Sequence, residues 1–173
     1  MIRPELTVKV SLSSYRYRFS RASRLLKPSE FQAVFDARKA CRGQWLTVHR
    51  ATTVVAAEAN TGSPVEISEQ IVTTDITRRL GLIVAKRLVP TAARRNLIRR
   101  ILREYFRTSH DAFPAGDWIV RLHESPFPSP ARVRKGAVLP TRSQIVSGLR
   151  IDLTQVLKRV VNQIRKEGAA DGA

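Results

Sequence analysis

The stretch Arg94-Arg95-Asn96-Leu97-Ile98-Arg99-Arg100-Ile101-Leu102-Arg103-Glu104-Tyr105-Phe106-Arg107 lies between two apolar runs, Leu80-Gly81-Leu82-Ile83-Val84-Ala85 before it and Asp117-Trp118-Ile119-Val120-Arg121-Leu122 after it. Wound at about 100° per residue, it sets Arg95, Asn96, Arg99, Arg100, Arg103 and Arg107 on an arc of roughly 140°, with Leu97, Ile98, Ile101, Leu102 and Tyr105 opposite. A solvated helix face usually mixes signs to gain i,i+4 ion pairs, yet Glu104 is the only acid here. One face calls for a core and the other for a polyanion. The run 80–85 reads as a central strand covered on both sides, Pro90 and Thr91 as a stop and a cap, and the helix should end near Ser109. With a second strand over 117–122 the unit is strand–helix–strand, and the basic helix is its crossover.

The rest of the composition agrees. A formal charge of +17, from 31 Lys and Arg against 14 Asp and Glu in 173 residues, asks for nucleic acid or an anionic membrane surface. No stretch approaches the ~20 uncharged apolar residues of a spanning helix, so no membrane role is expected. The single cysteine, Cys41, cannot form an internal disulfide; it fits a reducing, cytoplasmic setting and reads as a small, partly buried residue. Arginines at 3, 16, 18, 21 and 24 are separated by serines without the apolar segment of a secretory signal. Pro4, Glu5, Val8 and Val10 interrupt any amphipathic helix there. The expected organisation is a basic flexible arm over 1–19, a single domain over 20–166 and a flexible tail over 167–173.

Within that domain, Ser29 with Gln32 suggests a capping box that starts a helix running to about Arg38. Phe31, Val34 and Phe35 share one of its faces, either as simple core or as an aromatic wall for unstacked bases. Gln44 to Val55 is rich in β-formers and alternates as a half-buried strand does. Residues 52–77, with the Asn60-Thr61-Gly62-Ser63-Pro64 cluster, read as a hairpin excursion. Prolines 126, 128 and 130 mark a structureless linker over 125–142, made basic by Arg132, Arg134 and Lys135. From Ser143 a last helix presents Ile145, Leu149, Leu153, Val156, Leu157, Val160 and Ile164 on one side.

Protein-borne catalysis finds little support. His49, His110 and His123 are isolated, and no zinc spacing, Gly-rich phosphate loop or Ser/His/Asp constellation is present. Asp36, Glu104 and Asp117 read as solvated or salt-bridged. Binding of RNA by a basic helix with aromatics nearby is what composition and spacing support.

Three blocks then resemble a known family. Gly81-Leu82-Ile83-Val84-Ala85-Lys86-Arg87, followed by Arg95-Asn96-x-x-Arg99-Arg100-x-x-Arg103-Glu104-x-Phe106-Arg107, looks like the signature of the bacterial ribonuclease P protein component in its proteobacterial form. Arg24-Leu25-Leu26-Lys27-Pro28-Ser29-Glu30-Phe31-x-x-Val34-Phe35 is similar to that family's first helix, and Asp117-Trp118-Ile119-Val120 to its last strand. The resemblance implies an α/β fold of the α+β sandwich type, like the second domain of ribosomal protein S5. Its small mixed sheet would carry a left-handed strand–helix–strand crossover through the Arg-rich helix, against the usual hand.

It also implies the protein subunit of an RNA-based endonuclease that frees the 5′ leader from precursor tRNA, with catalysis by the RNA and Mg2+ held mainly by that RNA. The partners would be ribonuclease P RNA and precursor tRNA, with one monomeric protein per RNA; the alternative is a structural or ribosomal RNA-binding protein. Contact with the catalytic RNA falls on Lys86, Arg87, Arg95, Asn96, Arg99, Arg100, Arg103 and Arg107, and the leader cleft on Phe31, Phe35, Leu46 and Val48. No residue is expected to be catalytic or to bind a metal. Leu97 stands where the family usually has a second Arg; the excursion and the Pro-rich linker are longer than usual.

Overall fold

The computed structural model describes residues 19–51, 78–109 and 112–170. The arm up to residue 18, the excursion over 52–77 including Val54 and Val55, His110 and Asp111, and the tail from 171 lie outside the described residues.

Among the described residues, four strands form one mixed sheet in the order β1-β2-β4-β3: β1 (Lys39–Arg42), β2 (Leu46–Ala51), β3 (Arg78–Ile83) and β4 (Gly116–Leu122). β1 pairs with β2 and β2 with β4 antiparallel, whereas β3 and β4 are parallel. A parallel neighbour cannot be reached by a hairpin. Helix α2 (Ala92–Thr108) provides the crossover, as expected from the sequence. Helix α1 (Pro28–Asp36) packs on β2 and β4 from one side of the sheet. Helices α2 and α4 (Arg142–Ala170) cover the other, with α4 also against β1 and β2.

The main core lies on the α2/α4 side. Leu46, Val48, Leu80, Trp118, Val120 and Leu122 of the sheet meet Ile98, Ile101, Leu102 and Phe106 of α2 and Ile145, Leu149, Leu153, Val156, Leu157 and Val160 of α4. The α1 side has a smaller cluster of Leu25, Val34 and Ile119, bordered by Phe31, Phe35, Ala51 and Ile83. Each fully buried Leu, Ile or Phe contributes about 1.5–3 kcal/mol, so the larger cluster dominates stability.

Several expectations are corrected. The cap of α1 is not Ser29 with Gln32. The cap lies two residues earlier, at Lys27, and the Glu30 carboxylate accepts from the backbone N–H groups of Leu26 (2.7 Å) and Lys27 (2.8 Å). An ionised carboxylate at a helix start outcompetes a hydroxyl because it also meets the positive end of the helix dipole. The helix stops at Asp36, and Arg38 turns the chain with φ 51°.

The run 80–85 is not central among the described strands, where β3 stands last in the order. Its outer edge is met by residues 23–25, where Leu80 N–H donates to Ser23 O (2.9 Å) and Leu25 N–H to Leu80 O (3.2 Å). Coverage on both faces and along part of the edge explains an apolar run that reads like an interior strand. A Cβ on Gly81 would lie 2.6 Å from a Phe31 ring carbon, so only glycine lets α1 approach there.

β1, unforeseen, precedes β2, which starts at Leu46 rather than Gln44. The Pro-rich linker holds a short helix α3 (Pro130–Arg134), started by Ser129, whose Oγ accepts from Arg132 N–H. α4 runs past the expected tail start at 167 to Ala170. Glu167 ties that end to the sheet through Lys39 (2.8 Å) and Arg50 (2.6 Å).

Candidate nucleic-acid interface

The arginine helix divides as its periodicity requires. Ile98, Ile101, Leu102 and Phe106 are buried; Asn96, Arg100 and Arg103 are exposed, and Arg99 is half-buried. Leu97 is half-buried against the main core, which suits its aliphatic side chain. Lys86 and Arg87 are exposed in the turn after β3.

Two of the expected RNA-contacting residues hold the protein itself. Arg95 donates to the carbonyls of Val89 (3.0 Å) and Pro90, closing the loop that feeds the helix. Arg107 pairs with Glu104, whose carboxyl is held below its usual range first by that hydrogen bond and then by nearby Arg150 and Arg100. Arg103 donates through Nε to Arg99 O (3.2 Å). Five N–H groups per guanidinium leave four for an anion after such a bond. Arg94, on the apolar side of the wheel, lies over the Phe127 ring at 4.7 Å.

On the α1 side, Phe31 and Phe35 are half-buried, with Val34 between them at 0% exposure. The helix therefore uses Val34 as its core anchor, while the two rings combine packing with a reachable edge. Leu46 and Val48 do not join them. They are 0% and 1% exposed in the opposite core, because strand side chains alternate faces. The residues of β2 that face α1 are Thr47, His49 and Ala51.

The register continues this face across the sheet. Arg42 is opposite Thr47, Thr47 opposite Arg121, and Arg121 opposite Ile83. The Phe35 and His49 rings meet edge to face at 4.8 Å. Burial, then Arg121, lowers the His49 pKa, and its Nε2 is buried without a hydrogen-bond partner among the described residues. Arg42 Nε donates to His123 Nε2 (3.1 Å), and His123 Nδ1 lies 3.0 Å from Thr47 Oγ1. An accepting Nε2 puts the proton on Nδ1. Burial and Arg42 likewise push the His123 pKa down. The face thus offers two aromatic rings, two neutral imidazoles and two exposed arginines, Arg42 and Arg121. Only the aromatics were picked out from the sequence; the period of two, applied from Leu46 along β2 and from Trp118 along β4, would have found Thr47, His49 and Arg121.

A third feature is an open cleft of about 340 Å³ between the start of the described chain and α2, lined by Phe19, Arg24, Arg100, Arg103, Glu104 and Arg107. Asp36, Glu104 and Asp117 do not form an acidic group. Each is engaged separately: Asp36 by Gln32, Glu104 by Arg107, and Asp117 by a two-pronged contact from Arg79. Among the described residues, no group of three or more His, Cys, Asp or Glu is placed to hold a metal ion, and no helix is long and apolar enough to cross a membrane.

Residues 19–135 match the family model described as Ribonuclease P. The ribonuclease P protein component of Azoarcus sp. is 39% identical over 106 residues, covering 61% of this chain and 72% of that protein. That of Bordetella avium is 38% identical over 106 residues, 61% of this chain and 73% of the relative. That of Psychrobacter sp. is 28% identical over 155 residues, 90% and 93% of the two chains. In fold, the chain is similar to the Staphylococcus aureus RNase P protein, with a TM-score of 0.51 and 24% identity over 80% of this chain and 94% of that one. The matched span holds α1, the sheet and the arginine crossover in one block, and on that ground the chain belongs to the ribonuclease P protein family.

Proposed function

We propose that the chain is the protein subunit of a ribonuclease P ribonucleoprotein, one copy per RNA, in which the RNA cleaves precursor tRNA to free its 5′ leader. The observation that carries this reading is α2, whose Asn96, Arg99, Arg100 and Arg103 form a basic face over a buried apolar back. That face binds the catalytic RNA by neutralising phosphates, with Lys86 and Arg87 extending it. The leader lies along the α1 side, against Phe31 and Phe35 and over Thr47, His49 and Arg121. Its unstacked bases meet aromatic edges and its phosphates meet Arg121 and Arg42.

In this reading the protein takes no step in the hydrolysis. Its residues bind, orient and neutralise. The ions that activate water belong to the RNA in this reading.

Reconstitution tests it. The full chain is added to a bacterial ribonuclease P RNA and precursor tRNA at a magnesium concentration where the RNA alone is slow. The expected result is 5′ cleavage accelerated by more than about tenfold, ~1.4 kcal/mol of barrier. Binding without any change in cleavage would identify a structural RNA-binding protein instead.

A further inference from the structure

The cleft beside the C-terminal half of α2 is built differently from the rest of the basic face. Phe19 packs edge to face on Phe106, with ring centroids 5.8 Å apart. Phe106 is buried (4% exposed) although a helical wheel sets it between Arg95 and Arg99. Arg24 returns over Phe19 with its guanidinium carbon 4.9 Å from the ring centroid, and its Nη2 donates to Phe19 O (3.2 Å). One wall of the cleft is therefore the Phe19 ring, set edge to face on Phe106 and topped by the Arg24 guanidinium. The other wall carries Arg100, Arg103 and Arg107, with Glu104 engaged by Arg107. Four arginines against one already paired glutamate select an anion.

We infer that this cleft holds one unpaired nucleotide of the catalytic RNA, its base against the Arg24–Phe19 pair and its phosphate between Arg100 and Arg103. The inference rests on the RNA-binding reading above and adds a site to it. At about 340 Å³ the cleft falls at the small end of ligand sites, roughly 300–1,000 Å³, which suits one nucleotide. A duplex would present phosphates alone, whereas the Phe19 ring with Arg24 beside it offers an aromatic and cationic contact that an unpaired base can use. Every purine and pyrimidine has such a face, so the site is tolerant of sequence. It is separate from the α1 side of the sheet, because α2 packs on the opposite one.

The test is equilibrium binding of the full chain to a bacterial ribonuclease P RNA across a salt series, without precursor tRNA. Phe19→Leu retains apolar contact with Phe106 but has no ring. Arg24→Lys keeps the charge but loses the plane, and Arg24→Gln loses both. Phe19→Leu and Arg24→Lys are each expected to weaken binding by at least about fivefold with the salt slope unchanged. Arg24→Gln should weaken it further and reduce the slope of log K against log salt by about 0.7–0.9.

If the natural chain binds and all three variants bind within about twofold of it, the inference falls while the RNA-binding reading stands. It falls equally if only Arg24→Gln weakens binding, since that is a phosphate contact without a stacked base. If the natural chain binds this RNA no better than an unrelated RNA, the underlying reading fails and the cleft proposal with it. Arg24 is exposed, so Arg24→Lys decides the matter alone if Phe19→Leu melts below the assay temperature.

Discussion

Asp152 shows how much one side chain can organise. It is 3% exposed on α4, and its carboxylate accepts the backbone N–H groups of Gln44 (2.7 Å), Trp45 (2.9 Å) and Leu46 (2.9 Å) at the entrance to β2. Gly43 is tailored to it, since a Cβ there would fall 2.1 Å from the carboxylate oxygen. Asp152→Ala leaves three donors without their acceptor in a largely buried place. The expected cost is about 3 kcal/mol in denaturant unfolding, with RNA affinity retained where the variant is folded. Nothing in the sequence flags this residue, because its partners lie more than a hundred positions away. Leu46 and Val48 show the opposite failure. Their apolar character was legible, but a single-residue change of strand position exchanges the two faces, and apolar character marked the face of the main core rather than the face that meets α1.

Among the elements, α2 was the most legible; β1 and α3 were missed, and the first turn of α1 was misread. Seventeen residues with a 3.6 period report their own buried side. A cap is decided by competition among neighbours, and Glu30 won over Ser29. Within α2, exposure and hydrogen bonding separate cations that composition treats alike. Arg99→Ala with Arg103→Ala should leave the melting temperature nearly unchanged. The pair should weaken RNA binding and lower the salt slope by about 1.5, on the order of two phosphate contacts. Arg95→Ala should instead lower the melting temperature, because Val89 and Pro90 lose the group that satisfies their carbonyls. An identical loss of RNA affinity at unchanged stability for all three positions would contradict this division. The central placement expected for the 80–85 run failed for a related reason: periodicity reports how a strand is covered, and the segment that covers its edge comes from residues 23–25.

For the whole molecule, the titrating groups set a direction with pH. His49 and His123 have pKa values below the ordinary 6.5, first because of burial. The unfolded chain therefore binds protons near pH 6.5 that the folded chain resists, so their contribution is present above that value and lost as pH falls through and below it. Glu30, lowered first by the Lys27 and Leu26 N–H groups and also by Arg79, adds a second loss as pH falls below its ordinary 4.5. Thermal melting should be flat from about pH 7.5 to 8.5 and decline between about 7 and 5.5, with a further decline below about 4.5. His49→Gln should flatten part of the first decline; an unchanged profile would show that His49 has no share in it.

The 23–25 segment along β3 has a consequence for the protein before it meets RNA. Sheets recruit copies of themselves through unpaired edges, and a chain with a charge of +17 must keep its surface anions and neighbours selective. On one side, Ser23 and Leu25 occupy the backbone groups of Leu80 that another strand would seek. On the other, β1 is four residues long, carries Lys39 and Arg42 and has the Arg42 carbonyl taken by Arg159 (3.1 Å). Both rims of the sheet are thus poor templates for strand exchange, and self-association through β-pairing is discouraged while the arginine face waits, fully charged, for its polyanion.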